Sequence, residues 1–287
     1  MALTGFFNLG QSIETDGKYH YQYIYKPTVP IHGTAGLFID LNQTSGQPKY
    51  NPFAGSELTA TPLTGLGNAG IYPGNFVSGS TKHLLRWQML SITASIPNIF
   101  YLNDYLMFYP LIDCDNVDQQ DMINVDPLPR YADGDGVRIV LIVTAPMALT
   151  ASVTITYTNS DGVSGRTSTA NVIPGTAIGV CATAGGGTAG GAAQASPFWP
   201  MASGDKGVRS IQSITFASGA GGFMCAALVK PLASITTLET NVPVEKMYGF
   251  ENQMAPEIKD GAYLNLLIQS GTTTTGNFRG EMVFINS

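Results

Sequence analysis

Charge is what this chain has least of. Acidic and basic residues together make up 12 % of its 287 residues, about half the usual share in soluble domains, so its surface has to be built from Thr, Ser, Asn, Gln and Gly. At 44 % apolar the chain is too hydrophobic for disorder, and it is too poor in Glu and Lys for a coiled coil. It also lacks basic excess. A net charge of −6 and a pI near 4.9 argue against a nucleic-acid partner.

Cysteine is scarce as well. Cys114, Cys181 and Cys225 are odd in number, far apart and without zinc-ligand spacing, which reads as buried, reduced thiols in a protein made in a reducing cytosol. No basic leader precedes a sustained apolar stretch, so a secretory signal is not expected. Long hydrophobic runs are missing too: Ile99–Ile112 is interrupted by Asn103 and Asp104, and Val137–Val153 by Arg138 and Pro146. Neither reaches the roughly 20 clean residues of a spanning helix, and no membrane partner is expected.

What is present is strand pattern and turn chemistry, including 33 Gly and 17 Pro. Residues 1–75 are rich in turn formers, with Gly-Gln-Pro, Asn-Pro, Thr-Pro and Tyr-Pro-Gly breaks between 42 and 75. They read as an extended, irregular N-terminal arm or loop-rich subdomain that orders on a partner. Within it Tyr19, Tyr21, Tyr23 and Tyr25 alternate, which puts four rings on one side of a strand. They are the candidate partner-contact residues.

From residue 76 to 287 the period is close to two. Strands are expected over Lys82–Ser95, Ile99–Ile112, Val137–Thr144, Ala151–Thr158, Gly165–Ile173, Val208–Phe216, Phe223–Lys230, Ala262–Gln269 and Asn277–Ile285. A helix over Leu84–Leu90 is the one alternative. Asn159-Ser160-Asp161-Gly162 marks a hairpin turn. The links Ala217–Gly222 and Ser270–Gly276 read as hairpin tips, and Ala182–Ala195 as a small-residue loop. The whole is expected to be an all-β, antiparallel sandwich or jelly roll.

No catalytic set emerges. Gly162-Val163-Ser164-Gly165-Arg166 lacks the final Gly of a nucleophile elbow, and Gly185–Gly191 lacks the Gly-Lys-Ser/Thr end of a phosphate loop. His20, His32 and His83 have no metal spacing. The chain is therefore not expected to be an enzyme or to carry a resident cofactor. Asp113, Asp115, Asp118 and Asp121 could gather oxygens around a hard cation such as calcium, although the Gly and closing Glu of a calcium loop are missing. A charged contact to another subunit is the equal alternative for them. The sequon Asn42-Gln43-Thr44 is uninformative without evidence of secretion.

Several strings are similar to segments of virion structural proteins of tailed bacteriophages: Asp104-Tyr105-Leu106-Met107-Phe108-Tyr109-Pro110-Leu111-Ile112-Asp113, Leu128–Gly134, Tyr157–Arg166, Gly207–Ile211 and Leu228–Leu232. The resemblance covers roughly residues 80–287. It implies a component of the assembled particle, such as a capsid decoration or cement protein, commonly a trimeric β-sandwich. The implied partners are the major capsid protein and further copies of the chain itself, in a virion assembled in the bacterial host cytoplasm. A receptor- or glycan-binding module of a head or tail fibre, with Trp87, Trp199 and the tyrosines stacking on sugar, is the alternative.

Overall fold

The structure, a computed structural model, describes residues 19–29, 35–65, 69–172, 178–182, 196–248, 254–272 and 276–286. Among the described residues fifteen strands occur in chain order: β1 (Tyr19–Val29), β2 (Phe38–Asp40), β3 (Thr61–Pro62), β4 (Lys82–Ser91), β5 (Asn98–Asp113), β6 (Gln120–Asp121), β7 (Arg138–Ala145), β8 (Ala151–Asn159), β9 (Arg166–Val172), β10 (Val208–Phe216), β11 (Phe223–Thr237), β12 (Val244–Met247), β13 (Glu257–Ile258), β14 (Leu264–Ser270) and β15 (Gly276–Asn286). A 3-10 turn, Leu41–Gln43, follows β2.

The strands form three antiparallel sheets. The outer sheet has the order β1-β15-β4-β12, with β13 also on β4; the central sheet runs β2-β14-β5-β11-β7, with β3 on β5; the distal sheet runs β6-β10-β8-β9. Alternation along the central strands sorts their side chains into two sets. On one face, Ile139, Leu141 and Val143 of β7 and Met224, Ala226 and Leu228 of β11 pack against Val153, Ile155, Tyr157, Ile211 and Ile214 of the distal sheet. Phe100, Leu102, Leu264, Leu266 and Ile268 pack against Leu84, Trp87, Met89, Phe278 and Met282 of the outer sheet. The chain is thus an all-β sandwich in which one sheet serves two partners.

The other set, Phe38, Tyr105, Phe108, Val140, Ile142, Cys225, Ala227, Val229 and Leu267, forms a third cluster closed by Phe53, Leu63 and Cys181. Segment 178–182 seals both edges of the central sheet. On the β2 side Asp40 N donates to Gly179 O (2.7 Å) and Cys181 N to Phe38 O (2.8 Å); on the β7 side Val143 N donates to Val180 O (2.9 Å) and Ala182 N to Leu141 O (2.8 Å). No edge of that sheet is left to pair elsewhere at these positions.

The strand expected over Leu84–Leu90 is present, paired with β15 across one register shift, and two other expectations change. The expected pairs Val208–Phe216 with Phe223–Lys230 and Ala262–Gln269 with Asn277–Ile285 do not form: β10 is distal while β11 is central, and β14 is central while β15 is outer. The link after β10 gives its backbone bonds to neighbouring loops instead (Ala220 N to Cys114 O 2.8 Å, Cys114 N to Gly222 O 3.1 Å), so the chain crosses between layers. Only β8 and β9 make the expected hairpin, from Tyr157 opposite Arg166 to Ala151 opposite Val172.

The second change concerns the N-terminal arm. Its described part is woven into the body: β1 pairs with β15 from Tyr19 opposite Ile285 to Val29 opposite Gly276, β2 pairs with β14, and Thr61–Pro62 pairs with β5. Its sparse apolar residues, Ile24, Val29, Phe38, Ile39, Leu41, Phe53, Leu63 and Ile71, are all buried. The buried Lys26 donates to Thr44 O (3.0 Å) and Pro48 O (2.5 Å), fastening the loop to the sheet. Residues 1–18 and the Gly/Ala stretch 183–195 lie outside the described residues, as does the Gly185–Gly191 run.

Candidate functional site: the tyrosine face of the outer sheet

β1 is an edge strand, and its alternation separates two chemistries. Ile24 and Lys26 turn inward and are buried, whereas Tyr19, Tyr21, Tyr23 and Tyr25 all stand exposed, Tyr23 most of all at 67 %. Tyr19 and Tyr21 meet edge to face with centroids 5.3 Å apart, and the Arg279 guanidinium sits 5.2 Å from the Tyr25 ring centroid, a geometry that holds the ring by cation–π attraction.

Neighbouring strands extend this face. Tyr21 lies opposite Val283, and Val283 opposite Arg86, whose neighbour on β12 is Met247. Tyr19, Tyr21, Leu85, Arg86, Met247 and Val283 line an open concavity of about 230 Å³. Arg86 is bonded to Glu281 and lies 3.5 Å from Glu245, so its charge is answered within the face while its stem covers apolar surface. Met247 remains 59 % exposed. Tyrosine, methionine and arginine around a small apolar floor is the composition enriched in protein interfaces. The tyrosine alternation is visible in the sequence, but Leu85, Arg86, Met247 and Val283 join it only through strand pairing.

The acidic loop is arranged differently. Asp113 Oδ1 accepts from Asp115 N (2.9 Å), Asn116 Oδ1 from Asp118 N (2.9 Å), and Asp121 Oδ1 from Gln119 Nε2 (2.7 Å). These carboxylates and amides stabilise local turns, and among the described residues no three His, Cys, Asp or Glu side chains are grouped to hold a metal ion. Trp87 and Trp199 are buried, at 0 % and 2 % exposure, which corrects their expected place on a sugar platform. Trp199 Nε1 donates to Ser168 Oγ at 2.7 Å. Asn42 of the sequon is fully buried. His83 Nδ1 lies 3.3 Å from Ala255 O, His20 stacks edge-on against Tyr72, and His32 lies outside the described residues. All three cysteines are buried, and burial pushes the Cys114 thiol up to about 12.

Polar groups the sequence did not single out lie inside the molecule. Asp40 accepts from Tyr105 Oη (2.7 Å), Asn265 Nδ2 (2.9 Å) and Asn42 N (2.7 Å). Burial still raises its carboxyl to about 6, because these bonds offset only part of the desolvation. Asp104 is bonded to Arg130 through two contacts (2.9 and 2.7 Å) and accepts from Tyr263 N (3.0 Å). Both clusters are enclosed, so their place is in the fold's interior rather than at a binding surface. No helix among the described residues is long and apolar enough to cross a membrane.

No family model matches the chain, and no curated protein matches it. Among solved structures, the D431N mutant VP2 protein of infectious bursal disease virus in T=1 particles is similar at 8 % identity, over 94 % of this chain and 78 % of that one, with a TM-score of 0.19. The structure of the Gt strain of infectious bursal disease virus follows at 9 % identity, 94 % and 81 % coverage and a TM-score of 0.18. At scores this low the likeness carries no argument about fold or role.

Proposed function

We infer that the chain is a non-catalytic structural subunit of a virus particle: a decoration or cement protein of a tailed-bacteriophage head, made in the host cytoplasm, that bridges neighbouring major capsid subunits. The observation that carries this reading is the tyrosine face. Four exposed rings, continuous with Val283, Leu85 and Met247, form an aromatic surface on a chain with only 12 % charged residues. The sequence resemblance over residues 80–287 supports the same class. No cofactor is part of the reading.

Co-sedimentation with expanded capsids tests it. The protein is expected to pellet with assembled shells, and Tyr21→Ser with Tyr23→Ser to weaken that binding by about tenfold or more, as aromatic anchors at interfaces do. Absence from the pellet, or full binding by the double variant, contradicts the reading. A second reading, glycan recognition by a fibre module, is favoured by the exposure of Tyr21, Tyr23 and Tyr25 alone. A glycan array without signal removes it.

A further inference from the structure

The backbone of β1 carries a separate message from its rings. Tyr25 N donates to Gln47 O (2.8 Å) and Gln47 N to Tyr25 O (2.7 Å), so the Tyr25 peptide groups point away from β15. In an antiparallel ladder this direction repeats every second residue. The N–H and C=O groups of Tyr19, Tyr21 and Tyr23 therefore face the same outer edge, while those of His20, Gln22 and Ile24 face β15.

The two ends of this edge are treated differently. From Tyr25 onward it is blunted by the Gln47 bridge, by Lys26 and Pro27, and by a register shift between Lys26 and Val29, the devices with which sheets protect an edge. From Tyr19 to Tyr23 there is no lysine, proline or bulge. Among the described residues the one hydrogen bond to these outward groups is from Gln22 Nε2 to Tyr23 O, at 3.1 Å, and a carbonyl oxygen can accept a second donor. The central sheet, by contrast, has both edges sealed by segment 178–182.

We propose that the open edge Tyr19–Tyr23 pairs antiparallel with the same edge of a second copy, about a twofold axis at Tyr21, to give a dimer with one continuous outer sheet. In such an isologous contact residue i of one copy meets residue j of the other and j meets i, with only the residue on the axis facing itself, so a strand carrying charges of one sign would repel its copy. β1 carries no formal charge from Tyr19 to Tyr25, which makes it compatible with a second copy. The pairing sets Tyr21 opposite Tyr21 and Tyr19 opposite Tyr23 on one face, in aromatic cross-strand pairs. It joins the two tyrosine rows into a single ladder. A twofold pairing of this kind replaces the trimer implied by the sequence resemblance, since a threefold ring needs two different surfaces.

Sedimentation equilibrium on the full chain tests the proposal. The wild type is expected to be a dimer at micromolar concentration. Tyr21→Pro, which removes an edge-facing donor without touching the bonds to β15, is expected to be a folded monomer, and Tyr21→Phe to remain a dimer. Tyr21→Lys and Tyr21→Glu, each monomeric alone, should form a mixed dimer when combined, a result that independent loss of folding cannot produce. A monomeric or trimeric wild type, a dimeric Tyr21→Pro or a failure of the Lys and Glu variants to pair overturns the proposal. Shell binding by a protein shown to be monomeric would overturn the dimer and leave the proposed function standing.

Discussion

Arg130 is held by more partners than any surface arginine needs. Besides Asp104 it donates to Leu63 O (3.0 Å) and Tyr105 O (2.9 Å), with the two charged side chains 5 % and 0 % exposed. Such a pair returns little net stability relative to apolar residues, but half of it left alone is costly. Arg130→Met is expected to destabilise by about 3–5 kcal/mol in urea unfolding, and adding Asp104→Leu to recover a large part of that loss. Asp40 makes a complementary prediction about pH. Its folded-state carboxyl titrates near 6 against an ordinary 3.8, so between these values the native state holds a proton that the unfolded chain has released. Its contribution to stability therefore falls as pH rises from about 4 through 6 and is regained on acidification. Asp40→Asn should flatten that part of the stability profile measured by urea unfolding between pH 7 and 4; an unchanged profile would contradict the assignment.

Among elements, β15 is the one on which the outer sheet depends. It lies between β1 and β4, and Gly280 sits where Ile24 and Met89 flank it. A Cβ there would meet Gln88 O at 2.5 Å and the Met89 sulfur. A backbone oxygen cannot move aside without parting the strands. Gly280→Val is expected to cost about 3 kcal/mol and to loosen β1, read as faster amide exchange at His20 and Gln22. Strand identity was largely legible in the sequence, because alternation in Ala151–Thr158 and apolar density in Ile99–Ile112 are local signals. Strand partners were not. Ala217–Gly222 looks like a hairpin tip in sequence, yet the strands it joins belong to different layers, and only the bonds from Cys114 and Ala220 decide that. In residues 19–75 the Tyr19–Tyr25 strand was legible but its partner was not, for a related reason: the apolar residues there are too widely spaced to show a period, although Ile24, Val29, Phe38, Ile39, Leu41, Phe53, Leu63 and Ile71 fill places in cores built by strands far along the chain.

At the scale of the molecule, the scarcity of charge now has a location. Between Ile139 and Gly204 the only charged residues are Asp161 and Arg166, and the described part of that stretch supplies β7, buried on both faces, together with β8 and β9. The outward side of β8 is hydroxyl-bearing, and Thr154 and Thr169 bond across the hairpin at 2.8 Å. The neutral surface of that hairpin is thus hydroxyl-bearing rather than apolar. The apolar, aromatic surface lies instead on β1, where the tyrosines were legible and the residues completing their face were not. Whether that face belongs to a particle is answered most directly by counting copies of the chain, by quantitative mass spectrometry, in purified particles of the kind the proposed function names. The account predicts a shell component present in numbers comparable to the capsid subunits; absence from the particle would contradict it.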